Sequence, residues 1–353
     1  MVFILNDLVR VKSEDLFRFS LNVLESAGVK EKDAKIIAEN IILANLRGVD
    51  SHGVVRLPSY VKRVMEKLID PLGPVEIVKN QGCTALIDAN NNFGQVAAMR
   101  ATFLAAEKTR KFGVAAVGVR NSNHFGMAAH YALKLTEQKL IGIVLSNGPP
   151  AISPWGGKIP MLGSTPICIG FPIEKNDSII LDMAVSTVAR GKIRLAALKG
   201  EKIPEGWAFD EEGNPTTDPK AAIRGALAPI GGPKGYGLAL FMDLLCGLLM
   251  GSAFGRSVKA LDDFSGPSGT GFFIEAINVE FFRPYLEYQN CITNYVREIK
   301  ESPKRKGVEE IFLPGEIERR EAELRKKLGI PLDSETLLEI KNLAKELNIP
   351  FPL

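Results

Sequence analysis

Residues 114–147 read VAAVGVRNSNHFGMAAHYALKLTEQKLIGIVLSN. The opening VAAVGVR and the closing IGIVLSN are short apolar runs rich in β-branched residues, and both are predicted as strands. Between them, apolar residues from about Phe125 to Gln138 predict a helix. Strand, helix, strand is the order of an α/β unit, and it favours at least partly parallel pairing. The alternation continues outward. A short run at Thr84–Asp88 and a helix from about Gly94 to Lys111 come before it, and strands at Cys168–Pro172 and Ile179–Ala184 come after. The Pro- and Gly-rich passage from Gly148 to Pro166 is long for a connection inside a compact domain, so it is expected to border a site.

The ends of the chain have a different texture. Leu16, Phe17, Leu21 and Leu24 predict a helix from Ser13 to Ala27, with acidic residues in its first turn and Gly28 just past its end. A second helix is predicted from about Glu31 to Arg47 and a third after Pro58. PEGWAFDEEGNPTTDP, residues 204–219, is dense in turn-formers and is expected as surface loop. An apolar helix at about 236–250, a strand at 272–282 and a helical region from Pro284 onward complete the reading. The expected division is a helical N-terminal part (1–72), an α/β part (73–228) and a helix-rich C-terminal part (229–353) packing with the first.

Composition narrows the class of protein. Of 353 residues 46% are apolar and 24% charged, the balance of a folded globular chain. Lys and Arg number 44 against 41 Asp and Glu, so no broad positive field exists for gripping a nucleic acid backbone. Cys83, Cys168, Cys246 and Cys291 lie far apart without C-x-x-C spacing, arguing against a zinc knuckle or a disulfide framework. No apolar stretch reaches the ~20 residues of a membrane span. A cytoplasmic location is expected, with neither nucleic acid nor membrane as partner.

Two of the three histidines sit in polar, glycine-punctuated junctions. RGVDSHGVVRLP, residues 47–58, presents Asp50, Ser51, His52 and Arg56 between two predicted helices, where binding groups are commonly displayed. The same residues also suit a plain capped turn. VRNSNHFGMAAHY, residues 119–131, places His124 where a strand ends and a helix is expected to start. Ligands collect at such strand ends, and a helix N-terminus favours neutral imidazole. An N-cap cluster is the alternative there. His130 is expected to pack, and the spacing of His124 and His130 does not suit a metal. GGPKGYG, residues 231–237, suits a phosphate beside Lys234, although neither G-x-G-x-x-G nor a Walker pattern is present.

Six segments taken together resemble the malate/L-lactate dehydrogenase family, which also contains L-sulfolactate, ureidoglycolate and diketogulonate oxidoreductases. They are LRGVDSHGVVRLPSY (46–60), NSNHFGMAAHY (121–131), LDMAVS (181–186), IPEGWAFDEEGNPTTDP (203–219), PIGGPKGYGLAL (229–240) and LPGE (313–316). The resemblance implies an NAD(P)-dependent oxidoreductase and a homodimer or dimer of dimers. It also implies a non-Rossmann nicotinamide-binding α/β domain beside an α-helical domain built from N-terminal and later helices. By motif, His52 and His124 become the acid/base candidates, with His124 favoured and with Ser51 beside His52. Arg56 becomes the clamp for a substrate carboxylate. Ser146, Asp182, Met183, Ala184, Lys234, Gly315 and Glu316 become the cofactor positions, and no metal is implied.

The expected reaction is reversible oxidation of a 2-hydroxy acid, with L-malate first and L-lactate, L-sulfolactate and ureidoglycolate as alternatives. Both NAD and NADP are expected to serve, with Lys192 or Arg194 as candidate contacts for a 2′-phosphate. A nucleotide-binding protein of the same fold without catalysis, and a metal-dependent hydrolase, are the competing classes.

Overall fold

The computed structural model describes residues 9–174 and 177–351. Strand β1 (Val9–Val11) is followed by helices α1 (Ser13–Ser26), α2 (Glu31–Leu46) and α3 (Leu57–Met65). In α1 the buried Leu16, Phe19, Val23 and Leu24 line one face, and Glu14 and Asp15 sit at the partially positive end. Pro58 lies in the first turn of α3, where its missing N–H has no helical partner to lose. Truncating a residue as deeply buried as Leu16 to Ala costs about 2–5 kcal/mol.

The middle of the chain runs β2 (Glu76–Gln81), β3 (Thr84–Asp88), α4 (Gly94–Phe112), β4 (Val114–Ser122), α5 (Ala129–Thr136) and β5 (Leu140–Ser146). Strands β6 (Pro150–Ile152), β7 (Leu162–Gly163), β8 (Pro166–Pro172) and β9 (Ser178–Ala184) follow. Next come α6 (Arg190–Lys199), β10 (Ala208–Phe209), β11 (Pro215–Thr216), α7 (Pro219–Arg224), β12 (Ala226–Leu227) and α8 (Pro233–Asp243), the last prolonged by a π-turn at Leu244–Leu248. The chain closes with β13 (Thr270–Asn278), α9 (Tyr285–Glu301), α10 (Glu316–Leu328), β14 (Ile330–Leu332) and α11 (Ser334–Glu346).

A mixed sheet of order β2-β3-β4-β13-β5-β8-β9 organises the larger core. Helices α4 and α5 pack on β4, β13, β5 and β8, and the π-turn lies against β4 and β13. Parallel pairing is confined here to β3 with β4. β4 and β5 do run in the same direction, but β13 lies between them, antiparallel to both. Phe272, Ile274 and Ala276 on this inserted strand are fully buried, so it forms the sheet centre. Its place is set by pairing with strands more than a hundred residues earlier, which a local pattern does not display.

A five-stranded sheet, β11-β10-β12-β6-β7, packs with α6, α7 and α8 around a smaller apolar core that includes Ile152, Leu162, Ile193 and Leu227. This core draws on residues either side of position 228. The segment at 204–219 is a hairpin rather than plain loop. Ala208 pairs with Thr216 and is fully buried, and Asp210 closes the turn by accepting the Glu212 and Asn214 amides. β1 pairs with β14, joining the two ends of the described chain, while α10 packs on α2 and α11 on α3.

Candidate active site

Between α2 and α3 the chain makes two 3-10 turns, Asp50–His52 and Val54–Arg56. Asn45 accepts the Val54 amide at 2.9 Å and donates to Asp50 Oδ1 at 2.7 Å. Arg325 on α10 donates to the same Asp50 oxygen and to the Asn45 carbonyl, each at 2.7 Å. Held from both sides, the turns bring three predicted residues together. Ser51 Oγ shares a hydrogen bond of 3.0 Å with His52 Nδ1, and Arg56 Nε donates to the Ser51 carbonyl at 2.6 Å. Among the described residues the terminal nitrogens of Arg56 have no hydrogen-bond partner.

His124 arrives from the other junction. Helix α5 begins at Ala129, five residues beyond His124, so the ring does not stand at a helix N-terminus and no helix dipole acts on it there. The intervening chain is irregular because Gly126 has φ +74° and a Cβ at that position would lie 1.9 Å from Asn40 Oδ1. Asn123 fixes the approach by donating to the Asn91 and Asn92 carbonyls, each at 3.0 Å. The His52 and His124 rings then stack, centroids 5.4 Å apart at 27°. Tyr60 Oη shares a hydrogen bond of 2.7 Å with His124 Nδ1 and accepts from Gln95 Nε2 at 2.8 Å.

Both imidazoles are partly open to solvent yet closely surrounded by protein. Burial, then the charge of Arg56, lowers the His52 pKa to about 4. Burial, His52 and Arg56 hold His124 well below the usual histidine range. Both rings are therefore neutral near pH 7 through enclosure and neighbouring charge. Burial pushes the Tyr60 hydroxyl upward, so it stays protonated.

The sheet register relates the remaining positions. Ser146 faces Phe272, Thr270 faces Ser122, and Ala184 faces Pro166, which adjoins the Leu145 and Ile167 pair. Ser146, Met183 and Ala184 accordingly occupy the same rim of the sheet from which the chain runs on to His124. A profile of the malate/L-lactate dehydrogenase family matches residues 11–341. The chain belongs to the malate/L-lactate dehydrogenase family.

Relatives in this family agree over nearly the full length. The malate/(S)-sulfolactate dehydrogenase of Methanothermus fervidus is 41% identical, covering 93% of this chain and 95% of that protein. The malate dehydrogenase of Pyrococcus abyssi is 39% identical over 97% and 96%. The solved sulfolactate dehydrogenase of Methanocaldococcus jannaschii superposes with a TM-score of 0.91 at 40% identity, over 97% of this chain and 98% of that one. More distant members carry names that specify NADP(+) or NAD(+). The protein is a 2-hydroxy acid dehydrogenase of the malate/L-lactate dehydrogenase family, and the family's substrates are several.

Within this family frame, the predicted cofactor positions fall into separate groups. Asp182 Oδ2 accepts the Ala129 amide at 2.8 Å and so caps α5. Its side chain reaches solvent yet is crowded by protein, and burial raises its pKa to about 6 against the pull of Ala129 and Arg47. Gly315, at φ +85°, lies flat on β9, where a Cβ would come 2.9 Å from the Ile180 carbonyl oxygen, so the LPGE turn packs on β9 at Ile180. Glu316 is buried and spent on Lys300, Arg320 and the Leu313 amide, so its side chain holds the turn. Ser146 Oγ is buried and donates to the Asn147 carbonyl at 2.7 Å. Lys234 stands apart in the first turn of α8, exposed and without an ion-pair partner among the described residues. Arg194 pairs with Asp262, while Lys192 is exposed.

Tyr60 and Gln95 were not among the residues singled out from the sequence. Tyr60 had a signal, since it follows Arg56 by four residues, about one helical turn, within LRGVDSHGVVRLPSY. Gln95 had none beyond being a polar residue in an apolar helix. Among the described residues no group of three His, Cys, Asp or Glu side chains is placed to hold a metal ion, and no helix is long and apolar enough to cross a membrane.

Proposed function

We propose that the protein interconverts L-malate and oxaloacetate with a nicotinamide dinucleotide, accepting NAD or NADP. The observation that carries this reading is His124, stacked on His52 and tied to Tyr60, in the same cluster as the free guanidinium end of Arg56. Arg56 would take the substrate carboxylate through two parallel charge-assisted hydrogen bonds. That fixes the carbinol group against His124 Nε2, which accepts the hydroxyl proton in oxidation and returns it in reduction. Ser51 orients His52, and the His52 ring forms the wall against which His124 is held.

The residues present fit a dinucleotide. Lys234 offers an uncommitted cation at a helix N-terminus, and Gly315 lets the LPGE turn lie against Ile180 on the strand that carries Asp182, Met183 and Ala184. When bound, the nicotinamide supplies the hydride acceptor or donor. The chain's own part is positioning and proton transfer.

The test is an initial-rate panel of L-malate, L-lactate, sulfolactate and ureidoglycolate with each cofactor separately. Highest kcat/KM on L-malate with both cofactors supports the reading; binding without turnover across the panel overturns it in favour of a non-catalytic nucleotide binder.

We also propose a homodimer. Helix α9 has no buried residue although Leu286 and Tyr295 lie on it and Phe281 and Phe282 precede it, an exposed apolar surface of the kind a second copy covers. Sedimentation velocity showing a monomer at micromolar concentration would remove this reading.

A further inference from the structure

Arg47 closes helix α2 and is 8% exposed. Among the described residues its side chain makes no hydrogen bond or ion pair, and Nε is buried without a partner. A guanidinium keeps its charge in a protein, and a buried, unpaired one is strongly unfavourable. Such a group is retained where something else completes its bonding.

The surroundings say what that is. The charges facing Arg47 are Glu318 and Asp182, with Arg319 beside them, and Arg319 is itself paired with Asp177. Neither Glu318 nor Asp182 contacts it. Arg47 faces Asp182 on β9 and the first turn of α10, the helix that packs on α2, and that helix terminus adds partial positive charge.

We propose that Arg47 binds a phosphate group of the nicotinamide dinucleotide, with Asp182 accepting from a ribose hydroxyl beside it. The proposal rests on the cofactor reading above. The guanidinium supplies the planar pair of donors a phosphate accepts, and Asp182 has one carboxylate oxygen left after capping α5. The carboxylates of Asp182 and Glu318 moderate the charge of Arg47 without touching it, leaving its donors for the ligand.

The experiment compares the full-length wild type with Arg47→Met and Arg47→Lys, measuring NADH and NADPH affinity by titration calorimetry and the melting temperature without ligand. Arg47→Met is expected to weaken binding roughly 10- to 100-fold, the worth of hydrogen bonds to a charged group, and Arg47→Lys to restore part of it. Without ligand, Arg47→Met is expected to melt no lower than wild type, because it removes an unpaired buried charge. Loss with both dinucleotides assigns the pyrophosphate, and loss with NADPH alone assigns the 2′-phosphate. Unchanged affinity for both overturns the proposal. So does a lower melting temperature or failure to fold in Arg47→Met, which would make Arg47 a structural cation. Failure of the wild type to bind either dinucleotide is a separate result, and it sinks the cofactor reading itself.

Discussion

The hydroxyl of Tyr60 lies 2.7 Å from His124 Nδ1, joining helix α3 to the end of β4 across 64 residues of sequence. Gln95 donates to the same oxygen, so in this arrangement the tyrosine proton points at Nδ1 and the neutral ring carries its own proton on Nε2, where it donates a hydrogen bond to a keto oxygen and only the imidazolium gives that proton up. With the proton on Nδ1 instead, the ring donates to Tyr60 and Nε2 is bare, ready to accept from a hydroxyl. Tyr60→Phe removes the shorter of the two contacts at Nδ1 and leaves the Gly126 amide, which donates there at 3.4 Å. It should lower kcat roughly 10- to 100-fold with little change in KM for the acid, as read by steady-state kinetics. An unchanged kcat would show that the bond does not set the ring's proton.

Replacing His124 by Ala should cost on the order of 10²–10⁴ in kcat. His52→Ala should cost less, since its ring supports rather than exchanges protons in the proposed mechanism. Full kcat in both variants would remove the acid/base assignment, and a larger loss in His52→Ala would reverse the two roles.

Arg56→Lys preserves charge and loses the planar fork. A rise in KM for the hydroxy acid of roughly tenfold or more is expected, with cofactor affinity unchanged by calorimetry. Equal effects on both ligands would mean that Arg56 acts on the loop as a whole.

Stability should depend on pH through two groups of opposite sign. The His52 pKa falls to about 4 on folding, so between roughly pH 4 and 6.5 the unfolded chain binds more protons there and stability rises with pH. Asp182 is raised to about 6, so between roughly pH 3.8 and 6 it stabilises the acid side and loses that contribution as pH rises. Urea midpoints across pH 4–7 should therefore climb less steeply in His52→Gln than in wild type and more steeply in Asp182→Asn, which keeps an acceptor for the Ala129 amide. Parallel curves for all three proteins would contradict both shifts.

Arg325 lies remote in sequence from the histidines but anchors their loop through Asp50 and the Asn45 carbonyl. Arg325→Met should lose about 1–3 kcal/mol of stability and reduce kcat/KM without touching substrate. Chemical denaturation and steady-state assays on the same preparation separate the two effects.

Local pattern made much of this molecule legible. α1, α2 and α4 lie where apolar spacing and flanking glycines put them, because a helix facing a core repeats within its own length. His52, His124 and Arg56 stood out because polar clusters between rigid elements are rare and conspicuous. Information held between distant segments was hidden. Val9 pairing with Leu332, β13 entering between β4 and β5, and Gln95 reaching Tyr60 leave no trace in any short window. The false start of α5 has one local cause and one distant one: Phe125 and Met127 are buried like helix residues, but Gly126 turns the backbone into the left-handed region and Asp182, from β9, caps the helix at Ala129.

The late strand at the sheet centre also bears on synthesis. A nascent chain has β4 and β5 in hand long before Thr270–Asn278 leaves the ribosome, and until then each presents an unsatisfied edge to solvent. The sheet rim that carries Ser146 and Ala184 is therefore among the last parts to form. A chain cut short before residue 270 would keep both histidine motifs intact in sequence, yet it would carry two open strand edges prone to pairing with other chains.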